Sequence, residues 1–120
     1  MNAKQQALAL AEAIAEKKGE ELQILDLCEL CSFTDFFVIA TGTSARHVRT
    51  LAEATLEASA KLGGQVLGVE GQESARWILV DLGDVLVHLF QEKARDFYSL
   101  ERLWGEAEAL ELPRAVGAVR

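Results

Sequence analysis

Residues 76–90, R-W-I-L-V-D-L-G-D-V-L-V-H-L-F, are two apolar runs rich in strand formers on either side of Gly83-Asp84. A two-residue connection of this kind signals a β-hairpin, because glycine takes the positive φ that a twisted hairpin turn requires. The turn sets the register. Pairing Leu82 with Val85, Val80 with Val87 and Ile78 with Leu89 puts six apolar side chains on one face, as a layer covered by helices needs. The other face then carries Trp77 across from Phe90, Leu79 across from His88 and Asp81 across from Leu86. A three-residue turn would slip one strand and mix the faces. Burial by helices on the far side is one account of this second face. Against it stand three polar groups, the Trp77 indole N–H, the His88 imidazole and the Asp81 carboxylate, which each need a partner if buried but are satisfied by water or another protein on a half-exposed face. Aromatics beside a carboxylate and a histidine are a common make-up for the centre of an interface.

Outward from the hairpin, Asp35-Phe-Phe-Val-Ile-Ala40 is a continuous apolar run bounded by Thr41-Gly-Thr43, and it reads as the central strand of the sheet. Ser44 suits a helix N-cap, and Val48, Leu51, Ala52, Thr55, Ser59 and Leu62 form a helical stripe that stops at Gly63-Gly64, the crossover helix. Ala3 to Lys18 has mostly helical apolar spacing and is followed by Gly19 as a stop. Leu22–Leu27 and Gln65–Val69 read as short strands, with a turn at Gly68–Gly71, and helical pieces are expected over about Glu92–Tyr98 and Leu100–Trp104. Residues 1–107 form one domain. Residues 108–120, around the only proline, Pro113, are expected to fray.

The chain has 120 residues, half of them hydrophobic, enough for a single core without metal or disulfide support. No apolar run approaches the roughly 20 residues that span a bilayer, and the Ala/Gln/Glu-rich start is unlike a signal peptide, so the expectation is a cytoplasmic protein with reduced thiols and no membrane contact. Net charge is −7 with no basic stripe, which disfavours direct nucleic-acid binding and makes a basic protein the natural partner. A homodimer is compatible with the same sequence.

Three constellations invite catalysis and fall short. Cys28-Glu-Leu-Cys31 holds the only two cysteines, and His47 and His88 lie on separate elements, whereas zinc wants about four ligands and a redox pair opens a helix. Thr41-Gly-Thr-Ser44 resembles the Gly-Ser turn of nucleotidyltransferases, but the following Gln65–Val69 segment lacks the carboxylate pair that would hold magnesium. Arg46, His47 and Arg49 read as a solvated cationic face. Asp81, Asp84 and His88 with Ser74 or Ser99 lack a nucleophile elbow or an oxyanion hole. No cofactor, no metal and no enzymatic activity are expected; a nucleotide-binding or nucleotidyltransferase-like enzyme is the alternative.

From the first helix to about Ala107 the chain resembles the ribosomal silencing factor family, also called Iojap-related. The resemblance rests on Asp35-Phe-Phe-Val-Ile39, Gly42-Thr-Ser44, Arg46-His-Val48, Glu70-Gly71, Trp77-Ile-Leu-Val-Asp81, Gly83-Asp-Val85, His88-Leu-Phe90, Arg95, Tyr98, Leu100-Glu101 and Leu103-Trp104. Phe36 and Phe97 stand where the family often has tyrosine, and the cysteine pair is no part of its pattern. The resemblance implies an α/β domain, a mixed β-sheet with flanking helices, of nucleotidyltransferase-like topology without the catalytic carboxylates. It also implies a factor that binds protein fourteen of the large ribosomal subunit and blocks joining of the small subunit when nutrients are scarce. On that reading Trp77 and Leu79 are apolar anchors, Asp81 and Glu73 meet cations of the partner, and Arg76, His88, Tyr98, Glu101 and Trp104 form the rim or support.

Overall fold

In the computed structural model, which describes residues 2–30, 32–94 and the backbone of 108–110, the chain runs α1 (Ala3–Glu16), β1 (Glu20–Asp26), β2 (Phe36–Gly42), α2 (Ala45–Lys61), β3 (Gly68–Glu70), β4 (Trp77–Asp81), β5 (Val85–Gln91) and β6 (Glu108–Leu110). The strands form one mixed sheet in the order β3-β4-β5-β2-β1-β6. Among the described strands only the central β2–β5 pair is parallel, because α2 and the β3–β4 segment provide the long crossover that a parallel pair requires.

The hairpin register agrees with the sequence reading at every pair from Trp77–Phe90 to Asp81–Leu86. Leu82 N–H donates to the Val85 carbonyl at 3.0 Å, and Gly83 takes φ +85°. Ile78, Val80, Leu82, Val85, Val87 and Leu89 are all buried against Leu10, Ile14, Val48 and Leu51 of the two helices. The Asp84 carbonyl also accepts from Asp35 N–H at 2.9 Å and Phe36 N–H at 3.0 Å, so the hairpin turn indexes the start of β2 as well. All seven residues of β2 are buried, as a continuous apolar run in the middle of a sheet should be.

Local chemistry fixes the helix ends. Asn2 and Gln5 form a reciprocal capping box on α1, and Ser44 Oγ accepts from His47 N–H at 3.1 Å to cap α2. The stop after α1 differs from expectation: Lys18, not Gly19, takes the left-handed conformation at φ 65°. Gly19 is small for another reason, since a Cβ there would lie 2.5 Å from Ile14 Cγ2.

Two further expectations shift. Gly68–Glu70 is strand rather than turn, paired with β4 so that Glu70 faces Leu79; the turn follows at Gly71–Ala75, where Ala75 N–H donates to the Gly71 carbonyl at 2.9 Å. Val66 and Leu67, expected in that strand, precede it and are exposed. Glu108–Leu110, expected to fray, pairs with Ile24–Asp26 as β6, because the outer edge of β1 offers unpaired backbone groups that another strand can satisfy. Glu92–Ala94 turns helically; the rest of the two C-terminal helical pieces lies outside the described residues.

Gly71 and Gly83 both hold positive φ, +86° and +85°, but a Cβ on Gly71 would sit 2.0 Å from the Trp77 carbonyl oxygen, while the nearest neighbour at Gly83 is Leu67 Cδ1 at 3.5 Å. Gly83→Ala should therefore cost only the left-handed penalty of about 1–2 kcal/mol, and Gly71→Ala more than about 3 kcal/mol because backbone must also move. Urea unfolding of the two variants side by side checks the ranking.

Candidate functional site

Helices α1 and α2 cover one side of the sheet. The opposite side carries a second cluster of Leu25, Leu27, Phe37, Ile39, Leu86, Phe90 and Ala94, with Trp77 and Leu79 packed at its margin. Its exposure is graded across the hairpin. The β5 side chains Leu86, His88 and Phe90 are buried, whereas Trp77, Leu79 and Asp81 on β4 are half-buried. The half-exposed apolar side chains of this face thus lie on β4, and its neighbour β3 adds the exposed Glu70 beside Leu79.

The polar groups on this side are largely satisfied from within, which corrects the argument for its exposure. Trp77 Nε1–H donates to His88 Nδ1 at 3.1 Å, and Asp81 Oδ1 accepts from Gly83 N–H at 2.9 Å. Trp77 stacks on Phe90 with ring centroids 5.1 Å apart, and Phe37 meets His88 edge-on at 4.5 Å. His88, expected on a half-exposed face as rim or support, is 5% exposed. Burial holds its pKa down at about 4, so the ring is neutral at pH 7. With Nδ1 accepting from Trp77, the network places the ring proton on Nε2, which has no hydrogen-bond partner among the described residues. His88 is therefore a support that fixes the Trp77 indole.

Glu73 and Arg76 are exposed on the Gly71–Ala75 turn and at the entry to β4. The turn is held by α2: Arg49 Nε–H donates to the Gln72 carbonyl at 3.1 Å and its Nη2 to the Glu73 carbonyl. Gln91 Nε2 adds a bond to the Ala75 carbonyl at 3.2 Å. His47 is also tied in, accepting from Thr43 N–H at 2.9 Å through Nδ1 and donating from Nε2 to the Lys17 carbonyl at 2.8 Å. The cationic group read as a solvated face is thus, for His47 and Arg49, a pair of clamps from α2 to the end of α1 and to the β3–β4 turn.

The structure brings Glu73, Arg76 and Trp77 to one end of β4, places Leu79 midway, and sets Asp81 at the other end, about 13 Å from Trp77. Tyr98, Glu101 and Trp104 lie outside the described residues. Sequence reasoning missed Glu70, whose place beside Leu79 follows from the β3 register, and Arg49, whose partners are backbone carbonyls that no spacing rule reveals. Cys28 is exposed, and a hydrogen bond to the Asp26 carboxylate pushes its thiol up to about 11, opposite to the lowered pKa of a reactive thiol.

The chain matches the family described as ribosomal silencing factor during starvation over residues 1–119. It is 39% identical over 109 residues to a ribosomal silencing factor of Halalkalibacterium halodurans, covering 90% of this chain and 93% of that one. To the ribosomal silencing factor of Bacillus subtilis it is 38% identical over 112 residues, covering 93% and 95%. A crystal structure of a Chromobacterium violaceum protein superposes with a TM-score of 0.85 at 37% identity, covering 88% of each chain.

Because native His88 resists protonation until about pH 4 while an unfolded histidine protonates near 6.5, the unfolded state binds more protons between those values and stability falls as pH falls through that window. The shift corresponds to at most about 3 kcal/mol. His88→Gln keeps an acceptor for the indole and cannot titrate, so the loss of unfolding free energy between pH 7 and pH 4 should shrink by up to that amount, measured by urea denaturation at both pH values.

Proposed function

The chain belongs to the ribosomal silencing factor family, and on that footing we propose that it docks on protein fourteen of the large ribosomal subunit and keeps the small subunit from joining, lowering translation when nutrients are scarce. The observation that carries this reading is the β4 face. It offers a half-buried tryptophan and leucine, which are good anchors because little further ordering is needed on binding, flanked by the carboxylates of Glu70 and Asp81. Ribosomal proteins are basic, and an acidic domain steers toward them while RNA phosphates repel it.

Occlusion requires bulk and no chemistry. A standard interface buries about 800 Å² on each partner, and a domain with principal extents of 32 × 31 × 31 Å projects well beyond such a footprint. Tyr98, Glu101 and Trp104 belong to the same proposed surface through the resemblance alone. The domain works in the cytoplasm on this reading, and no described helix is long and apolar enough to cross a membrane.

Preincubation with large subunits should suppress formation of joined ribosomes without added nucleotide, and addition after joining should do much less. A requirement for a hydrolysable nucleotide would favour the nucleotidyltransferase-like enzyme instead. Trp77→Ala should weaken binding to large subunits about 30-fold or more, corresponding to about 2 kcal/mol, while the half-buried position keeps the domain folded. Glu70→Lys, on an exposed edge, should weaken binding with an unchanged melting temperature. Co-sedimentation and thermal melts on the same preparations check both variants.

A further inference from the structure

Among the described residues the exposed large hydrophobics are Leu30, Phe33, Val66 and Leu67, with Phe33 and Leu67 each 63% exposed. All four sit at one end of the sheet, where β1 and β4 finish and β2, β3 and β5 begin. Leu30 and Phe33 lie between β1 and β2; Val66 and Leu67 lead into β3. Exposed apolar residues scattered singly are ordinary. These are gathered, because backbone hydrogen bonds stitch their loops together. Leu67 N–H donates to the Asp81 carbonyl at 2.8 Å, Asp35 N–H to the Asp84 carbonyl at 2.9 Å, and Leu27 N–H to the Asp35 carbonyl at 2.8 Å. The Leu67 side chain reaches the hairpin turn, its Cδ1 lying 3.5 Å from a Cβ built on Gly83.

The same end carries Asp26, Glu29, Asp35 and Asp84, and no lysine or arginine occurs in residues 19–45, 62–75 or 77–92. We propose that this end of the sheet is a second docking surface, separate from the β4 face, for a protein segment that interleaves lysine or arginine with apolar side chains. Charge selects the occupant. Nucleic acid and anionic lipid are repelled, and a second copy of the chain would set its own carboxylates against these, where like charges are costly. A cationic apolar segment meets both halves of the surface: Phe33 and Leu67 take apolar side chains, and Asp35 and Asp84 between them take the cations. From β3 to β2 is three strand spacings, about 14 Å, the reach of about four extended residues or nine helical ones.

The test is an amide NMR titration of the labelled full chain with a ten-residue peptide alternating lysine and leucine, with its glutamate–leucine counterpart, and with an oligouridylate of similar length. The expected result is a response to the lysine peptide confined to the loops before β2 and β3 and the turn at Gly83-Asp84, weakened at least tenfold in Phe33→Ser/Leu67→Ser and in Asp84→Lys, with none from the other two ligands. Because the substituted side chains are exposed, each variant's amide spectrum outside these loops should stay native-like and serves as the fold control. No response, an equal response to the glutamate peptide, or a response centred on β4 would overturn the proposal. Shifts of the same amides on dilution alone would give the surface to a second copy, and shifts with oligouridylate to nucleic acid; either also overturns it.

Discussion

The turn at Gly83-Asp84 is the constraint on which the rest of the sheet depends. It fixes which side chains of β4 and β5 face the helices, and its Asp84 carbonyl receives the first two N–H groups at the start of β2. A slip of one residue would carry the side chains of one strand from the helix-covered face to the other. Three of the six buried hairpin side chains would then leave the core, at about 1.5–3 kcal/mol each. That loss is comparable to the whole stability of a typical small domain, so the register is not negotiable, and the parallel centre of the sheet inherits it.

The second face solves a different problem, which is how a sheet side without a described helix layer can hold a tryptophan, a histidine and an aspartate. Trp77 donates to His88, and Asp81 turns back onto the hairpin. Both carboxylate and indole are thereby oriented without being fully buried. The cost falls on His88, whose Nε2 proton finds no described acceptor, a penalty of about 1–3 kcal/mol for such a group. Phenylalanine would avoid that penalty but would leave the indole N–H without its acceptor, so the histidine is explained by the geometry of Trp77.

Much of this was legible in the sequence because it depends on local rules. The hairpin register, the central strand, the Ser44 cap and both amphipathic helices follow from turn chemistry and periodicity, and the five β4–β5 pairs are those the turn dictates. What was not legible depends on contacts between distant residues. No pattern in the sequence shows that His47 reaches the end of α1 or that Arg49 reaches two carbonyls beyond Gly71. The burial of His88 runs against the expectation that polarity signals exposure, because its Nδ1 finds the Trp77 indole N–H as a partner, even though its Nε2 finds none among the described residues. The two glycines of Gly68–Gly71 suggest a turn, whereas Gly68 pairs in the sheet and only Gly71 has the positive φ.

The clamps from α2 also bear on the charge pattern of the surface. His47 and Arg49 direct donors to backbone carbonyls of Lys17, Gln72 and Glu73 rather than to carboxylates. Their job is positional, fixing the turn that starts β4 and the joint between the helices. With those donors directed to backbone, the side chains of Glu70 and Glu73 beside the turn stay exposed to solvent, where an ion pair to Arg49 would otherwise weaken their field. The loop end carries Asp26, Glu29, Asp35 and Asp84 with no cation on its own strands and loops, while the helical side mixes Lys4, Lys17, Lys18 and Lys61 with Glu12, Glu16, Glu53 and Glu57. At the loop end the pattern follows from the sequence, since residues 19–45, 62–75 and 77–92 contain no lysine or arginine, whereas Arg76 stands at the opposite end of β4. On the function proposed above, a basic partner approaching such a domain would be oriented before it touches, and the apolar side chains on β4 would then decide how long it stays.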